Sequence, residues 1–283
     1  MKSPRVSVVI PAHNEAVHIG HQLSALSAQV TDGEAEIIVV DNASTDGTAS
    51  VVAHLGLPSV TVIQCDDGRG AAHARNHGAS HATGDVLLFC DADDVVADDW
   101  LAGMAAAARE YEFFGGRVDT AALDQLEPDE VPGRFALPRD LDWVPWGISC
   151  NLGIRRATFE RLGGWNEAYE CGEDIELSWR AAVAGVKFTP VEALVLYRPR
   201  PTPRLAFVQG FKWGRAAPKL RTDFAEAGFT GRTWRDAARD WGRLLRNALF
   251  IIGNEWNRRE AARLAGLLIG RLVGCVGERT FLP

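Results

Sequence analysis

The stretch Val86-Leu-Leu-Phe-Cys-Asp91-Ala-Asp93-Asp94 decides the fold, because a short apolar run leads directly into three carboxylates. An apolar run of this length, bounded by turn residues, is typical of a strand that is buried on both faces of a parallel sheet. Ligands of such sheets bind outside the carboxyl ends of the strands. The sequence therefore predicts a ligand site at residues 91–94.

Three further apolar runs precede this strand, at residues 6–10, 37–40 and 60–63. Helical segments and helix-capping turns separate the runs, and strands that alternate with helices indicate a doubly wound, mostly parallel α/β sheet. Asp41 follows the second run as Asp91 and Asp93 follow the fourth. Since ligands bind at the carboxyl ends of such strands, we expect these three carboxylates to converge on one crevice.

Asp91 and Asp93 are candidate metal ligands. Two carboxylates separated by one residue can share a hard cation that also holds a diphosphate, and Mg²⁺ and Mn²⁺ both accept such ligands. Asp-x-Asp also occurs by chance in loops, so the position directly after a strand carries the prediction. Asp41 is suited to accept a hydrogen bond from a base N–H or a ribose hydroxyl, whereas Arg75 is either a surface cation or a donor to a base carbonyl or phosphate.

Glu173 and Asp174 open a further predicted helix as a pair of acids. Acidic residues are favoured in the first turn of a helix by the helix dipole. A carboxylate at this place is also suited to general-base catalysis, in which it takes the proton of an attacking hydroxyl group. The residues alone leave both interpretations open.

The composition is that of a globular protein with an uneven charge distribution. Of 283 residues, 47% are hydrophobic and 24% are charged, which excludes disorder as the main state. Residues 1–196 carry 13 Lys and Arg against 30 Asp and Glu, whereas residues 197–283 carry 17 against 7. The acidic part is suited to hold a cation, and the basic part is suited to face an anionic partner.

The cysteines and the apolar runs predict the cellular location. Five scattered cysteines without a CxxC spacing indicate reduced thiols, with neither a disulfide framework nor a zinc site. No signal-peptide pattern is present, and no uncharged apolar run reaches about 18 residues. The sequence therefore predicts a cytoplasmic protein without a membrane-spanning helix.

Two other nucleotide-binding classes are excluded by their motifs. Gly68-Arg-Gly70 approaches the dinucleotide fingerprint, but it lacks the third glycine and follows the third strand instead of the first. The chain also has no Walker A loop. We therefore reject a nicotinamide-binding domain and a P-loop enzyme.

An ordered series of motifs resembles the inverting glycosyltransferase family 2, which has the GT-A fold. The resemblance runs from Val6 to about Arg198 and covers about two-thirds of the chain. The motifs are Val8-Val-Ile-Pro-Ala-His-Asn-Glu15, Asp41-Asn-Ala-Ser-Thr-Asp46-Gly, Arg75-Asn-His-Gly78, Asp91-Ala-Asp93-Asp94, Asn151-Leu-Gly-Ile-Arg155, Gly163-Gly-Trp165-Asn-Glu167 and Glu173-Asp174. Each motif is weak alone, but their order is specific.

The resemblance implies a role for each matching residue. Pro11, Ala12 and Glu15 would line the nucleotide site. Asp41 would contact the base, and Arg75 would help to hold it. Asp91 would face the ribose or the metal, and Asp93 would be the main ligand of Mn²⁺ or Mg²⁺. Asp174 would be the catalytic base, and Glu173 beside it would shape acceptor binding.

The implied function is metal-dependent transfer of a sugar, with inversion, from a nucleotide diphosphate donor to a hydroxyl of a cell-envelope glycan, a glycolipid or a similar acceptor. A uridine diphosphate sugar is the donor expected from the resemblance. One alternative is a polyprenyl-phosphate glycosyltransferase, and another is an inactive homologue that only binds nucleotide sugars. Nucleic acid is not an expected partner, because the basic segment lacks a recognisable nucleic-acid-binding motif.

We predict a GT-A catalytic domain at residues 1–200, with a nucleotide-sugar half at about 1–100 and an acceptor half at about 101–200. Residues 201–283 are predicted to be a basic, amphipathic helical extension, with Trp, Leu and Ile on one side and Arg on the other. Such an extension either packs on the catalytic domain or binds an anionic membrane surface. The second interpretation predicts a peripheral protein on the inner face of the plasma membrane, with a lipid-linked acceptor. The oligomeric state is open.

Overall fold

The computed structural model describes residues 5–29, 35–123, 143–229, 234–249 and 255–280. The first part alternates strands and helices: β1 (Val6–Ala12), α1 (Ile19–Ser27), β2 (Ala35–Asp41), α2 (Thr48–Leu55), β3 (Val60–Gln64), α3 (Ala71–His81) and β4 (Val86–Phe89). The next part contains β5 (Val95–Val96), α4 (Trp100–Glu110), β6 (Phe113–Asp119), β7 (Leu152–Arg155), α5 (Arg156–Leu162), α6 (Glu173–Val183) and β8 (Phe188–Leu196). A short 3-10 helix, Ser149–Asn151, leads into β7.

In the described part of the chain, eight strands form one sheet in the order β3-β2-β1-β4-β7-β6-β8-β5. The strands β3, β2, β1 and β4 are parallel, β7 joins β4 antiparallel, and β6 pairs with β8 in parallel. The register places Ala12 at the end of β1 beside Asp41 at the end of β2. The prediction of an α/β fold with a mostly parallel sheet is therefore confirmed.

Alternate residues of the central strands pack into two separate cores. Val8 and Ile10 join one cluster with Leu23 of α1, whereas Val9 of the same strand joins the other cluster with Ala74 of α3. Because successive side chains of a strand point to opposite faces, the sheet is covered by helices on both sides. This burial on both faces explains why β1, β2 and β4 are continuous apolar runs.

The four strands predicted from apolar runs correspond to β1–β4, but the sequence did not predict the remaining strands. The strand β6 contains the Gly115–Gly116 pair, β5 has only two residues, and β8 includes Pro190. These features weaken the apolar or alternating pattern that identifies a strand. The Pro- and acid-rich residues 119–145 predict a loop, and 124–142 of them lie outside the described residues.

The chain divides into two compact units. The first comprises residues 1–119, 145–168 and 173–197, and the second comprises residues 120–144, 169–172 and 198–283. The main division, between 197 and 198, lies close to the predicted boundary at 200. The second unit contains the helices α7 (Pro203–Phe224), α8 (Trp234–Leu249) and α9 (Glu255–Gly277).

The helices α7 and α9 pack with their backbones in close approach. A Cβ atom at Gly210 would overlap the carbonyl oxygen of Arg263, and one at Gly270 would overlap that of Phe211. Glycine is therefore required at these positions because a Cβ atom would clash with the neighbouring helix, and not because of a positive φ. None of the described helices is both long and apolar enough to cross a membrane.

The structure differs from the expected arrangement of the helical extension. Arg259, Arg263 and Arg271 of α9 are buried. The exposed large apolar residues of α8 and α9 are Trp241, Leu245, Ile269, Leu272, Val273 and Val276. The arginines find partners inside the unit, as Arg271 does with Asp240 of α8 at 3.5 Å. A helical-wheel pattern assigns faces but not which side chains are buried, and in α9 these arginines are buried together with Leu264, Leu267 and Leu268.

Candidate active site

Arg75 joins two carboxylates at the carboxyl end of β4. It lies on α3 with 2% of its side chain exposed, and its two terminal nitrogens donate to Asp91 Oδ1 at 2.7 Å and Glu173 Oε1 at 2.9 Å. Its guanidinium also lies 5.1 Å from the centre of the Trp165 ring. Burial acts to lower the pKa of Arg75, but the two carboxylates outweigh burial and raise it. Arg75 is therefore a permanently charged link between β4 and α6.

Asp174 has the pKa of a base that works near neutrality. Burial is the larger cause and the charge of neighbouring Glu173 the next, and together they raise the pKa of this carboxyl group to about 7. The backbone N–H groups of Ser149 and Ile175 oppose this rise by donating to the carboxylate at 3.2 and 2.8 Å. These two donors also fix the orientation of the carboxylate at the start of α6. The side chain is partly exposed.

Asp91, Asp94 and Cys150 form one cluster of potential metal ligands. One ligand atom from each lies within 4.8 Å of the others, and Asp94 and Cys150 are buried. Burial, followed by the charges of Asp94 and Asp91, raises the pKa of the Cys150 thiol well above its usual range. The two carboxylates suit a hard divalent cation, whereas a thiol is a ligand for softer metals. Asp93, the main predicted ligand, is partly exposed and is not a member of this cluster, so its role stays a prediction.

Gln22 fixes the loop that carries these carboxylates. Its side-chain nitrogen donates to the carbonyl oxygen of Asp91 at 3.0 Å, and its side-chain oxygen accepts from the Val96 N–H at 2.9 Å. Gln22 is fully buried although it lies among the apolar positions of α1. A polar residue on a predicted apolar helix face was the available signal, and the sequence analysis missed it.

The carboxyl ends of β1 and β2 form the predicted nucleotide edge. Asp41 accepts from the Ser44 N–H at 3.1 Å and from the Gln64 side chain at 3.3 Å. Pro11 and Ala12 close β1 beside it, while the Glu15 carboxylate contacts His18 at 2.9 Å. The predicted nucleotide-binding residues thus lie on neighbouring strand ends, but no contact in the structure tests their roles.

Asn76 fixes the Gly163–Gly164 turn next to this site. Its side chain accepts from the Trp165 N–H at 2.8 Å and donates to the Trp165 carbonyl at 2.9 Å. Both glycines have positive φ values, 83° and 74°, which favour glycine. These hydrogen bonds explain the asparagine at position 76, because its side chain binds the backbone of Trp165, about 90 residues later in the chain.

The parallel sheet, the carboxylates at its strand ends and the acidic start of α6 define a protein of the GT-A class. The family model described as "Glycosyl transferase family 2" matches residues 7–163. The chain belongs to this family.

Curated relatives are longer than the matched region. A succinoglycan biosynthesis protein of Rhizobium meliloti, ExoO, is 35% identical over 203 residues, which cover 65% of this chain and 57% of the relative. A validoxylamine A glucosyltransferase of Streptomyces hygroscopicus is 29% identical over 258 residues, which cover 77% of this chain and 57% of the relative. The chain spans little more than half the length of these two relatives.

Solved structures share the fold over nearly the whole chain. The mannosyltransferase PcManGT from Pyrobaculum calidifontis, in complex with GDP-Man and Mn²⁺, superposes with a TM-score of 0.63 and 23% identity, covering 97% of this chain and 88% of that chain. S. aureus TarS 1-349, in complex with UDP-GlcNAc, superposes with a TM-score of 0.55 and 16% identity, covering 99% of this chain and 93% of that chain. At these identities the likeness concerns the fold alone.

Proposed function

We propose that the protein transfers a sugar from a nucleotide diphosphate donor, with a UDP-sugar as the first candidate, to a hydroxyl group, with inversion at the anomeric carbon. The observation that carries the proposal is the partly exposed Asp174, whose pKa of about 7 suits a general base. Membership of glycosyl transferase family 2 supports the reaction class. The names of the relatives, a glucosyltransferase and a succinoglycan biosynthesis protein, support a glycan or glycolipid acceptor.

A divalent cation is part of the proposal. Asp93 and Asp91 would hold Mn²⁺ or Mg²⁺, and the neighbouring Asp94 adds a third carboxylate whose oxygen chemistry fits either ion. The ion would offset the negative charge that grows on the diphosphate leaving group. The complex of PcManGT with Mn²⁺ supports a metal of this kind.

The residues of the chain would perform the remaining steps. Pro11, Ala12, Glu15 and Asp41 would bind the nucleotide at the ends of β1 and β2. Arg75 would keep Asp91 and Glu173 in place through its two short hydrogen bonds. At the start of α6, Asp174 would take the proton of the acceptor hydroxyl while the hydroxyl oxygen attacks the anomeric carbon and the nucleoside diphosphate leaves.

Asp174 needs support to act in this way, and two contacts provide it. The Ser149 and Ile175 N–H groups hold the carboxylate in one orientation before the acceptor arrives. Glu173, beside Asp174, would shape the acceptor site. A base that is already oriented loses less entropy in the transition state.

A second part of the proposal concerns an anionic membrane surface. Ile269, Leu272, Val273 and Val276 of α9 lie at helical spacing and are exposed. Arg235, Arg239 and Arg279 of the second unit are exposed as well. Exposed apolar side chains and basic residues suit binding to an anionic lipid surface on the cytoplasmic side, where a lipid-linked acceptor would lie.

The lipid contact is tested by flotation with vesicles that contain phosphatidylglycerol. We expect the wild type to float with these vesicles and the Leu272→Asp, Val276→Asp variant to float less. Equal flotation of both proteins, or none with either, rejects the membrane contact without affecting the proposed chemistry.

The reaction is tested by screening nucleotide sugars for Mn²⁺-dependent release of nucleoside diphosphate. We expect one donor to be used by the wild type and by an Asp98→Ala control, whose exposed side chain lies after β5. Asp93→Ala should abolish release. Donor binding by calorimetry without release identifies a missing acceptor or an inactive homologue, and absence of any donor binding overturns the proposal.

A further inference from the structure

A second group of potential metal ligands lies after β3, away from the carboxylates of β4. Cys65 Sγ, one carboxylate oxygen of Asp67 and one ring nitrogen of His77 all lie within 4.8 Å of one another. A thiol, an imidazole and one carboxylate form a donor set of a different kind from the Asp91–Asp94 pair. Sulfur and nitrogen ligands favour Zn²⁺ and similar borderline metals over Mg²⁺.

His73 is placed to complete this group. It lies one helical turn before His77 on α3, and its Nε2 is 3.1 Å from Asp67 Oδ1. Its other ring nitrogen, Nδ1, contacts Glu167 Oε2 at 2.8 Å. Metal-bound histidines commonly have such a carboxylate on the second nitrogen, because it fixes the tautomer and the orientation of the ring.

The backbone around these residues is built for close approach. A Cβ atom at Gly68 would overlap the imidazole ring of His73, so glycine lets the loop lie directly against the ring. Asn42 also fixes the loop, since its side chain donates to the carbonyl oxygens of Cys65 and Gly68 at 2.8 Å and accepts from the Gly70 N–H at 3.0 Å. The loop at residues 65–70 is therefore held in place beside His73.

We propose that Cys65, Asp67 and His77 bind one zinc-class divalent metal ion, with His73 Nε2 as the fourth ligand. The thiol of Cys65 gives its proton to solvent when the metal–sulfur bond forms, and no electron is transferred. The ion ties the loop at 65–70 to α3. Asn42 directly follows Asp41 and holds this loop by hydrogen bonds. The bound ion would therefore also stiffen the end of β2, where Asp41 is predicted to contact the base. The site does not depend on the proposed transfer reaction.

The sequence predicted no zinc site, because the pattern Cys-x-Asp-x5-His-x3-His contains a single cysteine and lacks the paired spacing of common zinc motifs. The ligands become adjacent only when the loop folds back on α3. The geometry, rather than the count of cysteines, points to the site.

The test is titration of reduced, chelator-treated full-length protein with Co²⁺ in excess Mg²⁺, which is added to saturate the proposed cation site at Asp91 and Asp93. We expect one equivalent of Co²⁺ to give a thiolate-to-cobalt charge-transfer band that Zn²⁺ abolishes. Cys65→Ser should lose the band, and Glu167→Gln should weaken Zn²⁺ binding by about 10- to 100-fold. His77→Asn should weaken it at least as much.

Two matched variants separate this site from others. His81→Asn changes a histidine one turn further along α3, and Cys150→Ser removes the thiol of the other cluster. Both should keep the band and the affinity of the wild type. The proposal is overturned if the wild type shows no band, if Cys65→Ser keeps it, if Cys150→Ser loses it, or if His81→Asn weakens binding as much as His77→Asn.

Discussion

The two compact units both bury arginine side chains, but the partners of those arginines differ. In the first unit, Arg75 lies between Asp91 and Glu173 with two short hydrogen bonds. In the second unit, Arg271 faces Asp240 at 3.5 Å along a helix that packs through glycines. Arg75, Asp91 and Glu173 all belong to sequence motifs of the family. Arg271 and Asp240 belong to no motif, and their contact depends on how the helices pack.

This difference separates residues that belong to the candidate active site from residues that determine helix packing. In the first unit, polar residues are buried at the edge of the sheet, where a ligand is expected. In the second unit, glycines lie where α7 and α9 approach closely, and Arg259, Arg263 and Arg271 of α9 are buried. Substitutions of Asp174 or Glu173 should therefore change activity, whereas substitutions of Arg75 or of the glycines between α7 and α9 should change stability.

Asp174→Asn should give the largest effect. A general base contributes about 10²- to 10⁴-fold to a rate, so transfer should fall by that amount. Donor binding should remain, because Asp174 acts on the acceptor. The measurement is single-turnover transfer beside calorimetric donor binding, and full activity of the variant would remove Asp174 from its proposed role.

The same variant provides its own control for folding. The native pKa of Asp174 is raised to about 7, so the native state keeps a proton that the unfolded chain has lost above about pH 4. This group therefore lowers the free energy of unfolding as the pH rises from about 4 to 7. Asp174→Asn should be at least as stable as the wild type at pH 8, and a large loss of stability there would mean that its inactivity is structural.

Arg75→Met should destabilise the first unit by about 3–5 kcal/mol, because it leaves Asp91 and Glu173 without their shared cation. Arg75→Lys should cost less, since an ammonium group keeps the charge but cannot donate to both carboxylates in the same planar geometry. Denaturant unfolding of the three proteins measures the difference. If Arg75→Met lowers the free energy of unfolding by less than about 1 kcal/mol, the ion pairs of Arg75 with Asp91 and Glu173 are as weak as ion pairs on an exposed surface.

Gly270→Ala tests the second unit. The added methyl group would overlap the Phe211 carbonyl oxygen, so the helices must separate, at a cost of about 1–3 kcal/mol. Gly242→Ala in α8 is the matched control, because nothing lies within 4 Å of its Cβ position. It should be neutral or stabilising by up to about 1 kcal/mol. Equal unfolding midpoints for the two variants would contradict the close approach of α7 and α9.

The sequence predicted the part of the fold whose strands are continuous apolar runs. The strands β1–β4 were identified because both of their faces are buried. Within the predicted helical extension, the bounds of α7 were not predicted, since Pro203, Gly210, Gly214 and Pro218 all lower helix propensity. In the structure Pro203 opens the helix, and Gly210 and Gly214 lie against the backbone of α9.

The sequence named the separate residues of the candidate site but not their contacts. Arg75 and Glu173 are 98 residues apart, and no local spacing predicts that their side chains meet. Cys150 was missed as a neighbour of Asp91 for the same reason. The sheet order brings β7 beside β4, and that pairing depends on strands that the pattern did not identify.

Glu173→Gln should give the smallest effect and sharpens the comparison within the first unit. Burial is the main cause of the raised pKa of Asp174, and the charge of Glu173 is the next. Removing that charge should lower the pKa of Asp174, so the acid limb of kcat/KM should move to lower pH, while Arg75 keeps its hydrogen bond to Asp91. The measurement is the pH dependence of transfer between about pH 5 and 9, with Glu176→Gln on the same helix as a control, since Glu176 pairs with Arg180 instead. A limb that stays in place in Glu173→Gln, or moves equally in both variants, would show that Glu173 does not tune Asp174.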